Sequence, residues 1–180
     1  FKWLGKQVPF LQSKIIIGIL IITGLAILIP GYTGNTLIPS LGGALPVILM
    51  SIALAVILFA FSFRKSALTA WIYLLTGHLF IIAAVLFNAP HINPIEIVFY
   101  ASGVLVAFVL GYFCLQKIKA IDNDISLNRF HGYVYEQETT GLLFLLAAIG
   151  MLGFPVTAAF IGIDVLFTYV HSNQVALIIL

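Results

Sequence analysis

Long apolar runs, parted by short polar stretches, make up nearly all of this chain. They cover about Ile15–Pro30, Leu45–Phe63, Ala67–Phe87, Ile95–Leu115 and Thr139–Gly153, with a last one starting at Pro155. The runs are solidly apolar and do not alternate, which predicts membrane-crossing helices and disfavours a transmembrane barrel. Phe1–Lys14 is different: Phe1, Trp3, Leu4, Val8, Phe10 and Leu11 are mixed with Lys2, Lys6 and Lys14. That mixture predicts an interfacial segment over 1–14, with 15–180 forming one helical bundle. Trp71 and Tyr73 near the start of the third run read as interface aromatics. Gln116–Glu138 is the one polar loop of any length, and Ile118, Ile121 and Ile125 recur in it at helical spacing. A short surface helix is expected there.

The last third breaks the pattern. Gly153-Phe154-Pro155 stops the fifth run, and Asp164 sits inside the sixth, which falters again at His171-Ser172-Asn173-Gln174. Gly and Pro end helices, and a carboxylate or a freed backbone group finds no water in lipid. The expected architecture is all-α: a polytopic transmembrane bundle of about six crossings, the last a discontinuous helix.

Composition agrees. Of 180 residues, 62% are hydrophobic and only 8% charged, against roughly 25% charged in soluble domains. The charge that is present is distributed unevenly. Lys2, Lys6 and Lys14 precede the first run, Arg64 and Lys65 follow the second, and Lys117, Lys119 and Arg129 follow the fourth. With alternating crossings all fall on one side, which the positive-inside rule makes cytoplasmic, in a multi-pass protein of the inner (cytoplasmic) membrane. The lone Cys114 excludes an intrachain disulfide and a Cys-rich metal site. No Walker loop, GxGxxG, HExxH or CxxC occurs, no metal or cofactor is expected, and the few basic residues do not suggest nucleic-acid binding. A start at Phe1 and an end inside an apolar run lead to the expectation of an internal piece of a longer polypeptide.

Three residues are candidates for moving protons. His78 lies near the middle of the third run, and an imidazole there relays protons or simply bonds a neighbouring helix. Asp164, about 15 Å into a helix counted from Pro155, calls for a proton or a cationic partner; facing a polar subunit contact is the plainer role. His171 sits at the second interruption, hydrated if the helix breaks there and interfacial if it ends there. Gly153 and Pro155 make the helix break. His131, Tyr133, Tyr135 and Glu136, with Glu138, form a cluster after the polar loop, read as a partner contact. Glu96 and His91 read as solvated rim residues.

The run FHGYVYEQETTGLLFLLAAIGMLGFPVTAAFIGIDVLF from Phe130 resembles the antiporter-like membrane subunits: the large proton-pumping subunits of respiratory complex I and their relatives in multi-subunit sodium/proton antiporters and inorganic-carbon uptake complexes. The shared features are a helix ending Leu152-Gly153-Phe154-Pro155 and a following discontinuous helix with a charged residue, here Asp164. The specific resemblance covers about Phe99 to Leu180. Many members carry Lys just before the position of Asp164, where this chain has Ile163, and the family's central lysines belong to upstream helices that this chain lacks. The resemblance implies a proton- or cation-translocating subunit, partnered in the bilayer by other membrane subunits or by a large soluble subunit. The alternative is a non-conducting anchor that docks a soluble enzyme through the loop 117–138. A membrane enzyme using His131 and Glu136 ranks third, because no nucleophile or complete metal set accompanies them.

Overall fold

A computed structural model describes residues 14–33, 43–89, 91–128 and 131–161, together with Asp164 and Thr168. Among them every regular element is helical. The helices are α1 Lys14–Thr33, α2 Leu45–Ala60, α3 Ala67–Asn88, α4 Pro94–Asp122, the single turn α5 Tyr133–Glu136, and α6 Glu138–Met151.

Local chemistry sets the boundaries. Ser66 caps α3, its hydroxyl accepting from the Thr69 amide at 3.3 Å. Asn93 caps α4 the same way, accepting from the Ile95 amide at 3.0 Å, with Pro94 following where its missing N–H costs nothing. At the other end of α4, Asn123 adopts φ 53° and closes the helix by donating to Lys119 O at 3.0 Å. Asp124 then accepts from the Ser126 amide at 2.8 Å, making the turn that starts the polar loop. The expected surface helix is therefore no separate element. Ile118 and Ile121 ride on the extended end of α4, and Ile118 and Ile125 pack inward because that end lies against α3 and the loop.

α3 is the centre of the bundle, with α1 and α2 packed on it, α4 beside it, and α6 on α4. Small residues permit the close approaches, as expected where lipid supplies no hydrophobic drive between helices. A methyl group on Gly77 would come within 2.5 Å of Ile57 Cγ1 on α2. On α4, Gly103, Ala107 and Gly111 recur every fourth residue: Gly111 lies under the Trp71 indole, Ala107 meets Gly150 of α6, and Gly103 lies under Ala158 and Ala159. Trp71 and Tyr73 consequently face inward, not toward lipid. Trp71 Nε1 donates to Phe108 O at 2.9 Å, and Tyr73 stacks on Phe63 at 4.7 Å between centroids.

Ile15–Thr33, α3 and α4 are long and apolar enough to cross a membrane, which marks a membrane protein, and large apolar side chains such as Ile15, Ile22, Val106 and Phe113 stand exposed on its outside. Two expected crossings come out shorter. α2 has 16 residues and α6 has 14, about 24 and 21 Å at the helical rise, against a hydrocarbon core of about 30 Å. α1 runs through Pro30 to Thr33, past the expected end. Most of the expected sixth crossing, and the segment 1–13, lie outside the described residues.

The polar ends meet as the charge pattern predicts. Leu127 N donates to Arg64 O at 2.6 Å and Ala67 N to Ile125 O at 3.3 Å. Arg64 returns the contact, Nη2 donating to Leu127 O at 2.8 Å and Nε to Asn128 Oδ1 at 3.3 Å. The α2–α3 turn and the loop after α4 thus share one end of the bundle.

Candidate functional site

α6 ends in a complete left-handed cap. Gly153 takes φ 67°, its amide donates to Gly150 O at 3.2 Å, and the Phe154 amide donates to Ile149 O at 3.3 Å. This is the double bond of a Schellman ending. Pro155 follows, four residues after Met151, where an unbroken helix would offer an N–H to the Met151 carbonyl. Proline has none. Residues 155–159 form turns, with Thr157 N donating to Phe154 O and Phe160 N to Thr157 O, and the helical state resumes at Phe160. The sixth run therefore does not start as a helix at Pro155 as expected, because the tight turns seat Ala158 and Ala159 on Gly103 of α4.

Close to that main-chain end stands His78 of α3. Its Nδ1 lies 2.8 Å from the hydroxyl of Tyr100 on α4, with the rings edge to face at 6.0 Å. Tyr100 is only 4% exposed. Nδ1 accepts from the hydroxyl in one neutral tautomer and donates to it in the other. His78 thus ties α3 to α4 near the middle of the bundle. It also edges a cavity of about 560 Å³ between α1, α3 and α4, walled by Leu28, Leu75, Ile82, Ile97 and Val104. Those walls are apolar.

His78 thus stands near the end of α6 that precedes Gly153 and Pro155. Asp164 is exposed, its main-chain oxygen accepts from Thr168 Oγ1 at 2.8 Å, and among the described residues no cation pairs with it. His171 lies outside the described residues.

The cluster after the polar loop divides in two. His131 and Tyr133 stack at 4.8 Å and 9°. The His131 ring reaches Ser126 O at 2.8 Å through Nε2, and Tyr133 OH at 2.8 Å and Asp122 Oδ2 at 3.3 Å through Nδ1. Tyr133 OH lies 2.9 Å from Asp122 Oδ2 and 3.0 Å from Asp124 O. One hydroxyl proton serves one of those acceptors at a time. This knot fastens the loop to the end of α4, and a cavity of about 560 Å³ opens beside it over Leu115, Ile118 and Phe144. Tyr135 and Glu136 point away: Tyr135 is 84% exposed, and Glu136 is exposed as well. Among the described residues no three His, Cys, Asp or Glu side chains converge to hold a metal ion.

Sequence reading missed Tyr100, Asp122 and the orientation of Glu96. Tyr100 is the one hydroxyl facing His78 among the described residues, and its signal was a tyrosine deep in an otherwise aliphatic run. Glu96 is no open rim residue: it is half-buried, and its Oε2 is shut from solvent with no hydrogen-bond partner among the described residues. His91 is exposed. The chain matches no family model, no curated protein and no solved structure.

Proposed function

We propose that this chain is part of a proton- or cation-translocating membrane subunit of the antiporter-like kind, coupled to a partner complex. The observation that most supports this is His78, a titratable side chain in the middle of α3, joined to Tyr100 of α4 and standing near the end of α6. Intramembrane ionisable groups are costly and usually serve transport. Helix breaks supply main-chain groups that bind water and ions. In this reading protons pass His78 at the break and continue through Asp164 and His171. The end bearing Arg64, Lys65, Lys117 and Lys119 faces the cytoplasm. The test is a pH-jump fluorescence assay on the full-length subunit with its partner in proteoliposomes. His78→Phe and Asp164→Asn are expected to stop proton movement while the complex stays assembled. Wild-type rates in both rule the reading out.

A second reading is favoured by a separate observation. The His131–Tyr133–Asp122 knot ties the residues after the polar loop to the end of α4, while Tyr135 and Glu136 stand exposed beside it. A tethered segment presenting an aromatic side chain suits the docking of a soluble enzyme. As an anchor the subunit would lose its partner, and not its flux, when Tyr135 is changed to Ala.

A further inference from the structure

We propose that the cavity between α1, α3 and α4 is a binding site for one acyl chain of a bilayer phospholipid, entered from the leaflet at the end of the bundle away from Arg64 and Lys65. A membrane location is all that this requires; proton movement is not.

The site follows from how three helices pack. α1 and α4 each lie on α3 but barely touch one another, which leaves a slot with α3 as its floor. Leu75, Leu79, Ile82 and Leu86 line it at helical spacing along α3. Ile82, Leu86 and Val104 are buried, whereas Leu25, Ile29, Val98 and Leu105 along the two sides are exposed. The slot therefore opens sideways, onto the surface that faces lipid.

Its length is that of one leaflet. Leu75 and Leu86, at its two ends, stand about 16 Å apart at the helical rise, against about 15 Å for half of a hydrocarbon core. The inner end lies by Leu75 and His78, near the middle of α3. The outer end lies by Tyr32, Thr33 and Leu86, where α1 finishes and α3 enters its last turn. An exposed tyrosine is at home where chains give way to headgroups.

Shape and chemistry choose the occupant. A volume of about 560 Å³ is within the range of ligand sites. Spread along about 16 Å it gives a section of roughly 35 Å², into which a helix about 10–12 Å across does not fit. Water finds little to bond: inward of Tyr32 and Thr33, His78 is the one polar side chain on the walls, and its Nδ1 already meets Tyr100. A flexible hydrocarbon chain suits both, and the bilayer supplies it.

The test uses the full-length protein in phosphatidylcholine–phosphatidylglycerol proteoliposomes with a trace of phosphatidylcholine bearing a diazirine at the end of one acyl chain. Photolabelled residues are mapped by mass spectrometry. In the wild type, label is expected on Ile82, Val104 and residues 75–79, at least fivefold above the exposed face of α4 around Val109. Ala101→Phe, which puts a ring into the slot, is expected to abolish that excess, and Val109→Phe to leave it unchanged. Label confined to exposed residues, with Ile82 and Val104 unmarked, means that the surrounding bilayer merely brushes this face and overturns the proposal. Unchanged labelling in Ala101→Phe overturns it as well, and so do walls without any label, which mean that another protein segment fills the slot. Should Ala101→Phe fail to assemble, a diazirine moved to the headgroup end of the chain decides in the wild type. Label must then shift to Tyr32 and Thr33; label that stays at residues 75–79 ends the proposal.

Discussion

The imidazole of His78 on α3 and the hydroxyl of Tyr100 on α4 meet at 2.8 Å, and each is the other's partner in a region walled by aliphatic side chains. Removing one member strands the other. Tyr100→Phe preserves the ring and leaves Nδ1 of His78 unbonded, at a cost of about 1–3 kcal/mol for the orphaned group. The expected result is a lower thermal midpoint in detergent. His78→Phe removes that partner in turn and should destabilise similarly. In a double-mutant cycle the pair is expected to lose less than the sum of the single changes; strict additivity would mean that the two do not act together.

Gly153 holds φ 67°, where a side chain costs roughly 1–2 kcal/mol. Gly153→Val is expected to lower stability by at least that much. It should also disturb the surroundings of His78, visible as a changed imidazole resonance in NMR of selectively labelled protein. An unchanged resonance would disconnect the cap from His78.

The Trp71 indole lies flat on Gly111, where an added methyl would come within 2.6 Å of Cε2. The ring is large and tethered to Phe108 O, so it cannot step aside cheaply. Gly111→Ala is expected to cost about 1–3 kcal/mol by overpacking and to red-shift the Trp71 emission as the ring moves outward. Emission identical to wild type would show that the contact is loose.

At the polar end, Tyr133→Phe keeps the stack on His131 but removes the hydroxyl that bridges to Asp122 and Asp124. The loss of about 0.5–1.5 kcal/mol should loosen the loop without unfolding the bundle. Limited proteolysis is expected to cut within 117–138 several times faster, with the helical circular dichroism unchanged.

Much of the helical layout was legible because it depends on local chemistry. Gly153-Phe154-Pro155 marks a helix end by its own bonding preferences, and it is one in the fold. The shared polar end was legible too, since Arg64 and the loop after Lys119 can only meet if the intervening helices run out and back. What the sequence did not disclose depends on which faces pair. Trp71 looks like a lipid anchor until Gly111 is seen to give it a seat. Glu96 looks solvated until α4 turns it inward. The length of α2 was overestimated because hydropathy carries on through residues such as Phe61 that the backbone has already left in a turn. Asp164, the most conspicuous polar residue in the apolar sequence, proves exposed on this chain, and a residue's depth along a run says nothing about the direction it faces.

Pro155 makes one feature of the end of α6 permanent. A side-chain hydrogen bond can be broken by a rotamer change or by gaining a proton, but a missing amide hydrogen is a covalent fact. Whatever shape the bundle takes on, residue 155 cannot offer Met151 a main-chain donor. The acceptor at the end of α6 is thus hard-wired, and only its donor can be exchanged, one water molecule or hydrated ion for another. A swap of this kind needs no helix to unwind, since the helix is already finished.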